Sequence, residues 1–599
     1  MIYGKLSLED WRTAGMGGDK PESLFDSNDV RIFFYGTLCN RDAFSVAPQL
    51  SNAALAASLF RSDGARGFSR LDGSFTIVYY SADECGVARD HHGTHLPIYC
   101  TATGEFSSSW QYLEEQSGHR FTCDPLGLSC VLQRGILTGD GFLLKEVRRL
   151  NPGERFYYAK SEAAHPASSF PVRDSLFTYS LDPVIEASPD VDAYSQRYGE
   201  LHAQSIRRRI GNSNHVGILL SGGYDSGSNL AALRSIYDGT IDSYSIGFRG
   251  NVWTELPMAR LMSDTFGTRH HEYEIDGSEI TALPSIIRFL GEPFVEGGLM
   301  VNYCAMRLIG DTKPEVILGG DGSDQYFGTS GRGVALHYLT GRMGLHPFLR
   351  LANSLMSHPS FDTGGKLSRI KFHADGILHL MEGDRFGFSD VAMRQLLQDA
   401  RRDYVAPTSP KSDLRSFEHL YTQHAYVSDL DIVINRVILY KASRMACMFG
   451  NNLTFPYMDL DLYHFLQKLP VSLKCKGDSV WKMARGQAVA KYLLKYHYKP
   501  LLPEAITSKK KQGGFAPMPL FFQDPAQRSK LKDFILSSGI YKDYLRRDVV
   551  EKFLTDYDRE ASQTGGWFWH RQNKALQYFN LLALITWWEE FVERKSVAY

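Results

Sequence analysis

The chain of 599 residues is too long for one hydrophobic core, and this length indicates roughly two to four domains. Its 66 Lys and Arg residues nearly balance its 67 Asp and Glu residues, so no overall charge attracts nucleic acid or an anionic membrane. The eight cysteines form no C-x-x-C pair, which argues against a zinc site or a disulfide framework. The N-terminal stretch lacks the layout of a secretion signal, and the longest apolar run, 581–588, is too short to span a membrane. We therefore expect a cytoplasmic protein.

The first part of the chain is rich in predicted strands. The runs "GSFTIVYY" (73–80) and "GERFYYA" (153–159) are apolar and β-branched or aromatic, as buried strands are. A small, polar stretch interrupted by proline follows at 163–171 and predicts a linker. We expect an N-terminal domain over 1–165, a linker over 166–188 and a second domain over 189–599.

Strands and helices alternate in the first part of the second domain. A predicted helix ends at Gly211, and strands are expected at 216–220, 241–248 and 270–275, with helices between them. This alternation is typical of a parallel sheet with helices on its faces. Helical patterns predominate beyond residue 335.

The strand at 216–220 runs directly into Ser221-Gly222-Gly223. Glycines let backbone amides approach an anion closely, and a helix that begins near Asp225 adds the positive end of its dipole. Ser226 supplies a hydroxyl, and Asp225 is a candidate Mg²⁺ ligand beside phosphate oxygens. An isolated S-G-G is also explained as a turn that serves geometry alone.

Five further segments accompany this turn. The segments are "SIGF" (245–248), "GEPF" (291–294), "GGDGSDQYFG" (319–328), "FPYMDLDLYHFLQKLP" (455–470) and "KKKQGG" (509–514). The turn itself resembles the S-G-G-x-D-S loop of the N-type ATP pyrophosphatases, and the full set, in this order, resembles the asparagine synthetase family.

The resemblance implies an α/β protein with an α+β N-terminal domain. It implies a glutaminase-like (Ntn-type) β-sandwich at the N-terminus and an adenine-nucleotide α-hydrolase-like synthetase domain with a parallel sheet and a large helical part. The implied cofactors are ATP and Mg²⁺, with Asp225 and Asp324 as the metal ligands. The residues implied to bind ATP are Leu220, Ser221, Gly222, Gly223, Asp225, Ser226, Ser245, Ile246, Gly247, Gly320 and Asp324.

Two residues receive catalytic roles from the resemblance. Lys511 falls on the family's lysine that faces the α-phosphate and the charge that develops on the intermediate. Asp321 stands in place of the family's glutamate in the substrate loop. By its spacing alone, Lys511 also fits a solvated basic run with Lys509 and Lys510.

The segments 71–100 and 150–156 resemble the glutaminase domain of the same family. Such a glutaminase requires cysteine as its first residue, but Ile2 follows Met1, and a start at Cys39 would remove the predicted strand "RIFFYG". We therefore expect this domain to lack glutaminase activity and to serve as a structural or docking module. The run "DHHGTH" (90–95) contains residue types that bind metal ions, but the resemblance assigns it to a loop of the glutaminase domain instead.

Two branches of the family that lack this cysteine close rings: lasso peptide cyclases and β-lactam synthetases. The family pattern changes at Gln325, Ser443, Asn452, Thr454 and Gly514, which puts aspartate as the substrate in doubt. Additional helical sequence at 341–380 suits a peptide or a partner protein, so we favour a lasso peptide cyclase that joins an α-amine to an Asp or Glu side chain. A β-lactam synthetase, an ammonia-dependent asparagine synthetase and a non-catalytic ATP-binding scaffold remain alternatives.

The lasso interpretation implies specific partners. It implies a precursor peptide as substrate, together with a leader peptidase and a leader-recognition protein, and neither nucleic acid nor membrane. The aromatic stretch 567–579 is either a docking surface for such a partner or part of the core.

Overall fold

The structure is a computed structural model. It describes residues 1–9, 11–45, 50–138, 141–160, 170–250, 254–328, 331–355, 366–382, 386–398, 411–508, 516–561 and 567–599.

The N-terminal part consists of two antiparallel sheets with the strand orders β2-β1-β8-β7-β9 and β11-β10-β6-β5-β4-β3. Its elements are β1 (Ile2–Lys5), β2 (Gly17–Gly18), β3 (Ser23–Asp26), β4 (Val30–Leu38), α1 (Asn52–Asp63), β5 (Gly73–Ser81), β6 (Glu84–Arg89), β7 (Tyr99–Thr101), β8 (Glu105–Ser107), α2 (Trp110–Ser117), α3 (Pro125–Arg134), β9 (Val147–Arg149), β10 (Glu154–Ala159) and β11 (Val172–Ser175).

The two sheets pack face to face. Ile2 and Phe106 of the first sheet share one buried cluster with Phe33 and Val78 of the second, and α1 covers the second sheet's other face. Alternate residues of each strand thus enter different cores. Strand β11 pairs with β10, so the second sheet continues into the segment predicted as a linker.

A five-stranded parallel sheet forms the centre of the second part, with the order β14-β13-β12-β15-β16. Its elements are α4 (Val191–Ile210), β12 (His215–Leu219), α5 (Tyr224–Ile236), β13 (Thr240–Phe248), α6 (Leu256–Phe266), β14 (Arg269–Ile275), α7 (Leu283–Leu290), α8 (Gly298–Ile309), β15 (Val316–Leu318), α9 (Ser323–Phe327) and, later in the chain, β16 (Leu453–Thr454). The predicted mixed α/β fold with a parallel sheet is confirmed.

The strand order reverses between β12 and β15. Strands β12, β13 and β14 follow one another outward in one direction, whereas β15 pairs with the opposite edge of β12. In open parallel sheets, ligands bind outside the carboxyl ends of the strands at such a switch point. The two loops that leave β12 and β15 therefore border the expected binding crevice.

The remainder is mainly helical. It contains α10 (Gly331–Arg342), α11 (His346–Leu355), α12 (Lys366–Leu378), α13 (Asp390–Leu396), α14 (Phe417–Gln423), α15 (Leu439–Met448), α16 (Leu460–Gln467), α17 (Val471–Lys474), β17 (Cys475–Lys476), α18 (Val480–Ala484), β18 (Val489–Ala490), α19 (Tyr492–Tyr498), α20 (Glu504–Thr507), α21 (Pro525–Leu536), α22 (Arg547–Ala561) and α23 (Phe568–Trp587). A stretch of π-helical geometry, His424–Ile438, joins α14 to α15. Within the described residues, no helix has both the length and the apolar character needed to cross a bilayer.

The two parts share one core. Val131 of α3 packs in the same buried cluster as Ile286 of α7 and Phe579 of α23. The indole nitrogens of Trp110 and Trp587 both donate to the carbonyl oxygen of Gly291, at 2.8 and 3.0 Å. The end of the aromatic stretch at 567–579 is therefore core, since Tyr578 and Phe579 are buried, whereas the aromatic residues at 567–569 are half-buried.

Candidate active site

The turn after β12 has the geometry that its glycines predict. Gly222 has φ +71°, and a Cβ there would lie 2.7 Å from the Cβ of Met258 and 2.8 Å from the amide nitrogen of Ala259. The Ser221 amide donates to the Ser226 hydroxyl oxygen at 3.1 Å, which ties the turn to the first turn of α5. Only glycine fits at position 222 without displacing the backbone of α6.

Helix α5 presents its amino end to the crevice. Its N-cap residue is Gly223, which offers no side chain to the first amides of the helix. The first turn of a helix has amides without intrahelical acceptors, and the helix dipole places partial positive charge there. This end of α5 is suited to bind a phosphate group.

Two carboxylates from neighbouring loops converge on one lysine. Lys491 Nζ lies 2.6 Å from Asp225 Oδ1, at the start of α5, and 2.9 Å from Asp324 Oδ1, on α9. The Lys491 side chain is almost fully buried, whereas both carboxylates are partly exposed. Burial alone would lower the pKa of Lys491, but the two carboxylates outweigh it and hold that pKa above its usual value.

Lys491 itself has an unusual backbone. Its φ is +55°, in the left-handed region, and it is the residue that precedes α19. A non-glycine residue in this region carries strain that the surrounding structure must balance. The two ion pairs supply such a constraint and fix the ammonium at the crevice.

The loops around these groups are joined by hydrogen bonds. The Asn229 side-chain amide donates to the carbonyl oxygen of Gly319 at 3.0 Å and so links α5 to the end of β15. The Tyr457 hydroxyl donates to the Asp225 carbonyl oxygen at 2.9 Å. At Gly320, an added Cβ would lie 3.4 Å from atoms of Ser226. Asp225 and Asp324 are thus held on rigid, mutually packed elements.

A second ionisable cluster lies beside the first. Asp321 follows β15, and the Lys441 side chain, which is paired with Glu296, acts on it electrostatically. Burial raises the pKa of Asp321 to about 6, although Lys441 opposes the shift and the charges of Asp225 and Glu296 reinforce it. A carboxylate with this pKa is mostly ionised at neutral pH and is still basic enough to accept a proton.

The segment 245–248, whose first three residues the resemblance implies to bind ATP, lies at the carboxyl end of β13. The Ser245 hydroxyl donates to the Leu220 carbonyl oxygen at 2.5 Å, so it joins the two central strands. At Gly247, an added Cβ would approach Leu256 Cδ1 to 2.5 Å. Ile246 between them is half-buried. The ATP-binding roles of Ser245, Ile246 and Gly247 remain predictions, as do those of the other residues named from the sequence.

Sequence reasoning missed Lys491, Lys441 and Glu296. Lys491 is 266 positions from Asp225, and no motif that we recognised marks it. The predicted catalytic Lys511, with the whole "KKKQGG" run, lies outside the described residues.

The departures from the family pattern fall in different places. Gln325 is buried on α9 and Ser443 is buried on α15, both close in sequence to the second cluster. The Asn452 side chain donates to the carbonyl oxygen of Glu315, just before β15 begins, at 3.0 Å.

In the N-terminal part, the nearest cysteine to the chain start does not have the properties of a nucleophile. Burial raises the pKa of the Cys39 thiol to about 12, so the thiolate is scarce at neutral pH. The three histidines of the "DHHGTH" run make separate contacts. His91 stacks on Phe177, a ring nitrogen of His95 contacts the Thr76 hydroxyl at 2.9 Å, and His92 contacts the Asn435 side chain at 2.8 Å.

The family model for asparagine synthase matches residues 197–589, about two thirds of the chain. The chain belongs to the asparagine synthase family. Members of this family are ATP-dependent amide ligases. The matched region begins in α4 and contains the crevice and both ionisable clusters.

Curated relatives carry asparagine synthetase names. Asparagine synthetase [glutamine-hydrolyzing] 1 of Bacillus subtilis is 21% identical over 84% of this chain and 76% of its own length. A putative asparagine synthetase [glutamine-hydrolyzing] of Mycobacterium tuberculosis is 25% identical over 56% of this chain and 51% of its own. The chain thus spans about half the length of the mycobacterial relatives that it matches.

Solved structures give only weak likenesses. NMN synthetase from Francisella tularensis is 14% identical, with a TM-score of 0.19, over 47% of this chain and 94% of its own. The tRNA thiolase NcsA from Methanococcus maripaludis is 13% identical, with a TM-score of 0.17, over 50% of this chain and 80% of its own. The assignment to the family rests on the sequence match.

Proposed function

We propose that the protein activates a carboxylate with ATP, releasing pyrophosphate, and transfers the acyl group from AMP to an amine to form an amide. The observation that carries this proposal is the convergence of Asp225, Asp324 and Lys491 at the switch point between β12 and β15. Adenylation is needed because hydroxide is a poor leaving group, whereas AMP is a good one.

The chain's own groups suit the first half-reaction. The amino end of α5, with Gly223 as its N-cap, suits a phosphate group. Lys491 adds a fixed positive charge in a buried setting, where it acts more strongly than in water. The carboxylates of Asp225 and Asp324 also form a donor set that fits Mg²⁺, which prefers one or two carboxylates with phosphate oxygens. Mg²⁺ held by Asp225 and Asp324 would supply further positive charge at the triphosphate.

Asp321 suits the second half-reaction, in which the amine attacks the acyl adenylate. The attacking amine must lose a proton as the amide forms, and a carboxylate of pKa about 6 accepts it near neutral pH. Lys441 on α15 is paired with Glu296, and its positive charge stabilises the ionised form of Asp321. Asp321 is therefore the general base in this proposal.

We further propose that the substrate is a peptide, and that the product is a macrolactam between its α-amine and an internal Asp or Glu side chain, as in lasso peptide cyclases. An α-amine has a pKa of about 8, so part of it is neutral at pH 7, and tethering both groups in one molecule favours their encounter. Helices α11 and α12 lie within the additional sequence at 341–380, which would suit a peptide substrate. A precursor peptide, a leader peptidase and a leader-recognition protein would be the partners.

Asparagine formation is the competing function, since the curated relatives are named asparagine synthetases. A panel of substrates separates the two. The purified protein with Mg²⁺ and ATP would receive aspartate with ammonium or glutamine, a small β-amino acid, or peptides with a free N-terminus and an internal Asp or Glu. We expect a peptide product lighter by one water.

Asparagine as the only product would overturn the peptide proposal and keep the amide-ligase proposal, whereas no product and no AMP from any mixture would overturn both. The matched control is Asp225→Asn, for which we expect no product.

A further inference from the structure

Helix α11 exposes an apolar ridge. Its members are Phe348, Leu351, Ala352 and Leu355, which follow the i, i+3, i+4, i+7 spacing of one helix face. Phe348, Leu351 and Leu355 are 69, 61 and 73% exposed, and none of the ten residues of α11 is buried. An apolar stripe with this spacing ordinarily faces a core, so on α11 it lacks its partner within the described residues.

The opposite side of α11 is held by polar contacts. A ring nitrogen of His346 lies 3.1 Å from the Thr340 hydroxyl oxygen on α10. The Asn353 side chain donates to Asp375 of α12 at 2.5 Å. These contacts orient the helix with its polar side inward and the α11 ridge outward. Two more apolar side chains, Met343 before α11 and Ile370 on α12, are each 55% exposed.

The helices next to the ridge carry a net positive charge. The described residues of α10, α11 and α12 include one acid, Asp375, and six basic residues: Arg332, Arg342, Arg350, Lys366, Arg369 and Lys371. All of these basic residues except Lys371 are exposed. The near-zero net charge of the whole chain conceals this local excess.

We propose that the α11 ridge with its basic surroundings docks on an anionic lipid surface, as a peripheral contact that lies in the interface. Apolar side chains on one face of a helix, with Lys and Arg beside them, are the pattern by which helices enter the headgroup region of acidic membranes. A second copy of the chain is a poorer occupant, because two surfaces of the same sign repel. A protruding ridge also offers no recess for the side chains of a partner, whereas a bilayer needs none.

The test is co-sedimentation of the full chain with vesicles of phosphatidylcholine, with and without phosphatidylglycerol. We expect binding to the anionic vesicles, at least tenfold weaker binding to neutral ones, and loss of binding as salt rises. Phe348→Glu with Leu351→Glu should weaken binding at least tenfold. The matched control is Ile185→Glu, at a 66% exposed position before α4, which should bind like the wild type. Thermal unfolding checks that each variant is folded.

Equal binding to neutral and anionic vesicles, or no binding to either, would overturn the proposal. So would undiminished binding by the folded double variant. A wild type that sediments as a dimer, with a monomeric double variant and no vesicle binding, would assign the ridge to a contact between copies instead. These results do not depend on the amide-ligase proposal, which is tested without lipid.

Discussion

Lys491 Nζ lies 2.6 Å from Asp225 Oδ1 although 266 residues separate them, and the same ammonium reaches Asp324 at 2.9 Å. The crevice is thus assembled from three distant segments: the start of α5, the start of α9 and the residue before α19. Each carboxylate follows a different strand of the parallel sheet, so the lysine couples the two sides of the switch point.

Lys491→Met should weaken ATP binding by about 2 kcal/mol, or roughly 30-fold, because it removes a buried cation and leaves two carboxylates facing the phosphates. Isothermal titration of ATP with Mg²⁺ measures the change. Lys482→Met is the control, since Lys482 is exposed and pairs only locally with Asp478. Unchanged affinity in the Lys491 variant would remove this residue from the phosphate site.

The rate of amide formation should have an acid limb near pH 6, because Asp321 must be ionised to accept a proton. Lys441 lowers the pKa of Asp321, so Lys441→Met should move the limb to higher pH. Glu296 raises that pKa, so Glu296→Gln should move the limb to lower pH. A pH–rate profile of each variant tests the opposite signs, and shifts in the same direction would contradict the assignment.

Gly222→Ala should abolish ATP binding, because the added Cβ meets the backbone of α6 in addition to the cost of positive φ. Gly211→Ala is the matched control, since Gly211 has φ +52° but open space around the added atom. The control should lose about 2 kcal/mol of stability, because its φ of +52° and ψ of −128° favour glycine, and should keep its affinity for ATP. Equal ATP affinities in both variants would show that the turn is not the phosphate site.

Trp110→Ala should lower the free energy of unfolding by about 4 kcal/mol, since Trp110 is buried between the two parts of the chain and bonds to the Gly291 carbonyl. Trp481→Ala, at a 55% exposed position, should change it by less than about 0.5 kcal/mol. Denaturant unfolding provides both values. A small effect at Trp110 would mean that packing between the N-terminal part and the second part contributes little to the free energy of unfolding.

Local signals were sufficient for the strands of the parallel sheet and the helices between them. The predicted strand at 241–248 corresponds to Thr240–Phe248, and the helix expected between it and the next strand corresponds to Leu256–Phe266. Period, turn glycines and strand–helix alternation are properties of short windows, so they can be read from sequence. The positive φ at Gly222 could likewise be predicted from the Ser-Gly-Gly turn alone.

The charge pairs of the site could not be predicted in this way. Lys491, Lys441 and Glu296 look like ordinary surface residues in sequence, and only tertiary packing brings Lys441 to Glu296 across 145 positions. The shift of the Asp321 pKa depends on these same long-range neighbours.

The most direct test of the central claim is exchange of labelled pyrophosphate into ATP by the purified protein with Mg²⁺ and a carboxylate substrate. We predict exchange that requires the carboxylate and is lost in Asp225→Asn, since reversible adenylation is the only route that returns pyrophosphate to ATP. Amide formation accompanied by ADP and phosphate, without any exchange and without AMP, would contradict the account.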